Sequence, residues 1–157
     1  MRVYLGSDHA GLALKQHLVG RLADRGDDPV DIGPVALDPE DDYPPFCLHT
    51  AARVAADAGS LGIVVGGSGN GEQIVANKVP GIRAALAWSE LTARLSRQHN
   101  DANVMAIGAR MHTADEAWLI TVAFLDTPFS GEERHQRRIA QVTAYERGRA
   151  LPALPAL

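Results

Sequence analysis

Leu61-Gly62-Ile63-Val64-Val65, Gly66-Gly67-Ser68-Gly69-Asn70-Gly71 and Glu72-Gln73-Ile74-Val75-Ala76-Asn77-Lys78 follow one another without a break. The first segment is a short apolar, β-branched run, which predicts a strand buried on both faces. The glycine-rich segment after it is a turn, and the third is able to start a helix. Four glycines in six positions, at 66, 67, 69 and 71, leave backbone N–H groups uncovered by side chains. An anion or a developing oxyanion can approach such groups, helped by the positive end of the helix. Glu72 has two readings beside this cradle: it is either an acidic residue of a first helical turn, or a carboxylate with a chemical task. The loop lacks the G-x-G-x-x-G spacing, and Lys78 lies too far along for a P-loop lysine, so a nucleotide site has little support.

The whole chain sets wider bounds. Its 157 residues, 46% hydrophobic, suit one domain with a substantial core. A net charge of −4 argues against a general nucleic-acid binder. The single cysteine, Cys47, makes no internal disulfide and has no zinc-type spacing around it. No signal peptide is apparent and no apolar run approaches membrane-spanning length, so the expected setting is cytoplasmic, away from membranes. The reading is one domain over 1–150 and a frayed, Pro-rich tail over 151–157.

Working outward, Val3-Tyr4-Leu5-Gly6 reads as a first strand leading into Ser7-Asp8-His9-Ala10-Gly11 and a helix carrying Leu12, Leu14, Leu18 and Leu22. Pro29 to Gly33 is a second strand, Asp38 to Pro45 an acidic, Pro-rich loop, and Pro45 to Ala58 a helix. Ile82 to Ala87 is a fourth strand, Ser89 caps a helix reaching His99, and Val104 to Gly108 is a fifth strand. A helix follows from Thr113 to Leu125. Ser130-Gly131-Glu132-Glu133 has capping-box spacing for a last helix to about Arg149. Strands alternating with helices predict an α/β fold, a three-layer α/β/α sandwich on a five-stranded parallel sheet of order 2-1-3-4-5. The topological switch then lies between strands 1 and 3, and Asp8-His9 faces the Gly67 to Glu72 loop across one crevice.

Three more groups are candidates for that crevice. His99-Asn100-Asp101 leads into strand 5 and is placed on the same rim, and Arg110 follows strand 5 directly. Each could equally be an ordinary surface residue. Arg134, Arg137 and Arg138 share a helical face, either solvated or suited to bidentate recognition of phosphate. A glycine cradle, a carboxylate, two imidazoles and several arginines meet the needs of a phosphorylated sugar. Proton abstraction beside a carbonyl creates an enediolate, which preorganised donors stabilise. No H-E-x-x-H spacing supports a metal.

Gly6 to Gly11, Gly67 to Gly71, Ala76-Asn77-Lys78, Gly81 to Ala84, Leu95 to Val104 and Arg134 to Arg138 resemble, in order and over nearly the whole chain, the type B ribose-5-phosphate isomerase family. That family also includes allose-6-phosphate and galactose-6-phosphate isomerases. The resemblance implies a Rossmann-like homodimer, or a tetramer of dimers, interconverting ribose 5-phosphate and ribulose 5-phosphate without cofactor or metal. It implies that His99, helped by Asp8, opens the sugar ring. His9, Arg110, Arg134 and Arg138 match phosphate contacts, those of the last helix reaching a partner's site, and Tyr43 in the acidic loop matches a substrate contact. Asn100 belongs to the same substrate-binding set. The backbone of Gly67, Gly69, Asn70 and Gly71 matches the enediolate hole, and Ser68 a hydroxyl that passes a proton between oxygens. Many members carry a cysteine base where this chain has Gly66, whereas Glu72 matches the base of a mycobacterial-type branch. The alternatives are an isomerase of another aldose phosphate, such as allose 6-phosphate, and a non-catalytic sugar-phosphate binder.

Overall fold

The computed structural model describes residues 1–154. Its strands are β1 (Arg2–Ser7), β2 (Asp28–Gly33), β3 (Leu61–Gly66), β4 (Ala84–Leu86) and β5 (Val104–Gly108). All pairings are parallel, and the order is β2-β1-β3-β5-β4. The expected order 2-1-3-4-5 is therefore corrected at one edge. β5 has five residues, all buried, and its Val104-Met105-Ala106-Ile107 suits an interior place between two strands. β4 is regular over only three residues and is half-buried beyond Ala84, which suits an edge. The switch between β1 and β3 is unaffected.

The helices are α1 (Leu12–Asp24), α2 (Tyr43–Ala56), α3 (Asn70–Ala76), α4 (Glu90–Asn100), α5 (Ala114–Asp126) and α6 (Glu133–Gly148). Successive strand residues point to opposite faces, so each interior strand feeds two cores. Val3, Leu5, Ile63, Val65, Met105 and Ile107 pack under α1, α4 and α5 with Leu18, Leu22, Ala93 and Phe124. Tyr4, Val64, Val104 and Ala106 pack on the other face with Cys47, Ala51 and Val54 of α2 and Ala76 of α3. Three layers result.

Local chemistry sets the helix ends. Ser89 and Thr113 both form reciprocal capping boxes, with Thr92 and Glu116. Pro44 and Pro45 fall in the first turn of α2, where a missing N–H costs nothing. That helix consequently begins at Tyr43, earlier than its Pro-rich start suggests. The capping box expected at Ser130 does not form. Ser130 Oγ lies 2.7 Å from His135 Nδ1, and Glu132 is the N-cap residue, without a side-chain bond. Of the tail, residues 151–154 are irregular and 155–157 lie outside the described residues. No described helix is long and apolar enough to cross a membrane.

α6 is unusual among the helices because His135 is its only buried residue, while Val142 and Tyr145 are exposed. Helical stability in a protein comes mostly from packing an apolar face, and much of the apolar side of α6 is left uncovered by the described residues.

Candidate active site

At the carboxyl end of β1 the chain turns sharply through Asp8 to Gly11. Gly11 N–H donates to Asp8 Oδ1 at 3.0 Å, which fixes the carboxylate and opens α1. Gly11 has no room for a side chain: an added Cβ would collide with the Val65 carbonyl and lie 2.9 Å from Ser7 Cβ. This close approach presses the Asp8-His9 turn against the end of β3, where the glycine loop begins.

The loop itself is held from below. Ala109 N–H donates to Gly66 O at 2.8 Å and Arg110 N–H to Gly67 O at 3.1 Å, which ties the end of β5 to the loop and lays the guanidinium beside Gly67. Gly69 takes φ +84°, a left-handed value that swings the chain into α3. The N–H groups of Ser68, Gly69 and Gly71 donate to no backbone carbonyl among the described residues. Those of Ser68 and Gly71 are uncommitted donors on a fixed frame, while the Gly69 N–H is turned to the Glu72 carboxylate. Tyr43 closes the opposite side, its ring so near Gly71 that an added Cβ would lie 2.8 Å from Cζ.

Glu72 is 4% exposed, an unusual depth for a carboxylate. Its carboxyl group occupies the space a side chain on Gly66 would take, since a Cβ built there overlaps Glu72 Oε1 and Cδ and lies 2.8 Å from Oε2. Burial pushes its pKa up, and the nearby Asp8 charge adds to the push. The N–H groups of Glu72 itself and of Gly69 oppose it. The same burial pushes the Cys47 thiol up to about 12, so it is un-ionised at neutral pH. Cys47 is a buried core residue of α2.

Asp8, His9, Tyr43, Gly67, Ser68, Gly71, Glu72 and Arg110 together line one cavity of about 390 Å³, large enough for a phosphorylated pentose. Ser68 also faces an adjoining cavity with Asn70, and its Oγ accepts from Asn70 Nδ2 at 3.2 Å.

His99, Asn100 and Arg138 are not brought to this cavity. They line a separate one of about 550 Å³ with Gln73, Asn77 and Val142. The expectation that His99 shares the rim with the glycine loop is corrected by helix direction. α4 runs antiparallel to the strands it connects, so its last residues lie at the amino end of β5. His99 instead stacks on His135, their ring centroids 4.4 Å apart. Burial, with the neighbouring His99 and Arg134, holds the His135 pKa below its usual value. Arg134 is exposed and bonds Glu132 at 2.8 Å.

One residue that sequence reasoning passed over is Asp41, whose Oδ1 accepts from the His9 backbone N–H at 2.9 Å and lies 2.7 Å from His9 Nδ1. It lies in the acidic loop that leads to Tyr43, and nothing in that run of acidic residues distinguishes the one that turns inward.

A buried carboxylate beside fixed N–H donors, with an imidazole and a guanidinium across the cavity, is the arrangement that proton transfer next to a carbonyl requires. The chain matches the family model described as Ribose/Galactose Isomerase over residues 3–142. The chain belongs to the ribose/galactose isomerase family. Among relatives in that family, the ribose-5-phosphate isomerase B of Mycobacterium tuberculosis is 57% identical over 155 residues, covering 99% of this chain and 96% of the relative. That of Escherichia coli is 38% identical over 148 residues, covering 94% and 98%. The ribose-5-phosphate isomerase B structure of Mycoplasma genitalium with bound ribulose-5-phosphate superposes with TM-score 0.90 at 41% identity, covering 94% of this chain and 97% of that one.

Proposed function

We infer that this ribose/galactose isomerase family member is an aldose-ketose isomerase that interconverts D-ribose 5-phosphate and D-ribulose 5-phosphate through an enediolate. The observation that carries the mechanism is the position of Glu72, buried against Gly66 and facing the cavity of the loop N–H groups. Relatives named ribose-5-phosphate isomerase B, one of them with ribulose-5-phosphate bound, support the substrate.

In this reading Glu72 takes the proton from C2 and returns it to C1. Its raised pKa makes it a stronger base than a solvated carboxylate and brings its acid form closer to neutral pH, as a two-way proton carrier needs. The N–H groups of Ser68 and Gly71 hold the enediolate oxygens, the Gly69 N–H steadies the Glu72 carboxylate beside them, and the Ser68 hydroxyl passes a proton between the oxygens. His9 and Arg110 hold the phosphate end, and Tyr43 confines the carbon chain. His99, helped by Asp8, opens the ring.

That last role requires a second copy of the chain. β3 spans six residues, about 20 Å of extended chain, so a histidine at the far end of the sheet does not reach Glu72. A homodimer that sets the His99, Asn100 and Arg138 cavity of one copy against the Glu72 cavity of the other completes the site, with α6, Arg134 and Arg138 at the seam. The unpacked apolar side of α6 supports this assembly. Cytoplasmic carbohydrate metabolism is the corresponding setting.

The test follows the reaction in heavy water with ribose 5-phosphate. Wild type forms ketose and exchanges the C2 proton. Glu72→Gln binds substrate but loses roughly 10²- to 10⁴-fold in kcat, with exchange lost in parallel. Mixed after partial unfolding, the Glu72→Gln and His99→Asn chains recover about a quarter of wild-type activity, because half the dimers are mixed and each mixed dimer keeps one intact site of two. Full activity in Glu72→Gln overturns the base. No recovery on mixing, despite subunit exchange, overturns the shared site.

A further inference from the structure

We propose that Asp41 is a positioning residue that holds His9 as an imidazolium, its Nε2–H presented to the anionic end of the substrate. The inference rests on the isomerase reading for the identity of that anion, but the contacts that carry it do not.

The Asp41 carboxylate is tied to His9 alone among the described residues. Among the described residues, every donor that reaches its carboxylate belongs to His9: the backbone N–H at 2.9 Å and ring Nδ1 at 2.7 Å, both on Oδ1. Oδ2 is sealed from solvent with no partner among the described residues, and the side chain as a whole is 10% exposed. A carboxylate has acceptors and no donor, so the contact with Nδ1 places a hydrogen there. Nε2 is then the ring nitrogen left for a ligand. An imidazole fixed in this way at two points, through backbone and ring, presents it with little freedom.

The charge balance at His9 favours the cation. Asp41 from the β2–α2 loop and Asp8 from the β1–α1 turn both attract it, and Arg110 from the end of β5 opposes. The bond to Asp41 is the largest influence, and His9 is held above its ordinary pKa. Neutral imidazole presenting a bare Nε2 lone pair would repel a phosphate oxygen. The protonated ring gives it a charge-assisted hydrogen bond beside Arg110.

The loop is built to hold Asp41 in place. Lys15, with no exposed surface, donates from Nζ to Pro34 O at 2.6 Å and to Asp31, pinning the loop where it leaves β2. Further along, Asp41 N–H donates to Asp38 O at 3.2 Å, and Asp38 Oδ1 accepts from Glu40 N–H.

The experiment is an NMR titration of the His9 ring in the full-length protein, with and without inorganic phosphate, assigned with a His9→Gln variant. In wild type, the nitrogen shifts place a proton on Nδ1 throughout, and the ring titrates above the ordinary histidine range. Phosphate raises it further. Asp41→Asn keeps an oxygen acceptor but removes the charge, so the titration falls toward the ordinary value and its response to phosphate weakens. In steady-state assays the same variant raises KM for ribose 5-phosphate by roughly three- to tenfold at about pH 8, with kcat changed less than about twofold. The alkaline rise of KM moves to lower pH with the His9 titration. A residue that merely holds the loop would lower Tm and leave the titration unmoved, and that result overturns the proposal. If Asp41→Asn does not fold, the wild-type tautomer decides: a neutral ring protonated on Nε2 overturns it. Because the titration needs no turnover, a protein inactive on ribose 5-phosphate but with the expected His9 behaviour would refute the substrate and leave the positioning role standing.

Discussion

Gly66→Ala adds one methyl group at the place where geometry is most constrained. The new Cβ overlaps Glu72 Oε1 and Cδ. The backbone at 66 belongs to a buried strand and is outside the left-handed region, so alanine is acceptable to the main chain and the side chains must yield. Glu72 borders an open cavity, and rotating the carboxylate toward it relieves the overlap at a displacement on the order of 1 Å. Misplacing a reacting group by about that much costs roughly 10²-fold in rate, near 2.7 kcal/mol of activation free energy. Arg110 and His9 keep their places, so KM should change little. The assay is initial-rate ketose formation from ribose 5-phosphate, with deuterium entry at C2 as a direct measure of proton abstraction. Circular dichroism and a melting curve check the fold. A companion variant, Gly66→Cys with Glu72→Ala, puts a thiol into the vacated space and should exceed Glu72→Ala alone. If folded Gly66→Ala retained full kcat, Glu72 would not be the base in the position described.

Other perturbations read different parts of the molecule. Glu72→Gln should be more stable than wild type near neutral pH, because the folded protein holds this carboxyl at a raised pKa. The cost of ionising it appears as pH rises from the unfolded value through the folded one, and the advantage of the variant disappears on acidification. Melting curves at about pH 4 and about pH 7 check this, and a variant less stable than wild type at neutral pH would contradict it. Lys15→Met should destabilise by about 2 kcal/mol in urea, since Pro34 O loses its donor while the 30%-exposed Asp31 rehydrates. Its KM should rise as the loop bearing Asp41 loosens, and unchanged stability would show that the buried ammonium is not needed.

The sequence carried the centre of this fold because its signals there were redundant. A continuous apolar run, a glycine cluster and a helix start leave little freedom for Leu61 to Lys78, and the switch between β1 and β3 brings Asp8 and His9 across from it. The order of β4 and β5 depended on subtler evidence, the uninterrupted burial of Val104 to Gly108 against the short pairing of Ala84 to Leu86. The end of the sheet reached by His99 was available from the antiparallel run of its helix. Asp41 was not readable, because Asp38, Glu40, Asp41 and Asp42 differ in environment only after folding. The same is true of Ser130, whose hydroxyl lies against the His135 ring and makes no capping box.

The two halves of the proposed site are built differently, and the difference suits their tasks. Glu72, the loop donors and Asp8 stand at the ends of central strands or on turns pressed against them, where packing leaves little play. Proton transfer to and from carbon needs that precision, because its rate falls steeply with misplacement. Arg134 and Arg138 stand on α6, which has a single buried residue and, in one chain, little to brace it. Holding a phosphate tolerates more movement, since several long cations share a diffuse charge. A site divided in this way confines the rigid geometry to one chain and leaves orientation of the substrate to the seam. Loss of the dimer should then remove ring opening and phosphate anchoring together, while Glu72 stays buried behind Gly66 in each separated chain.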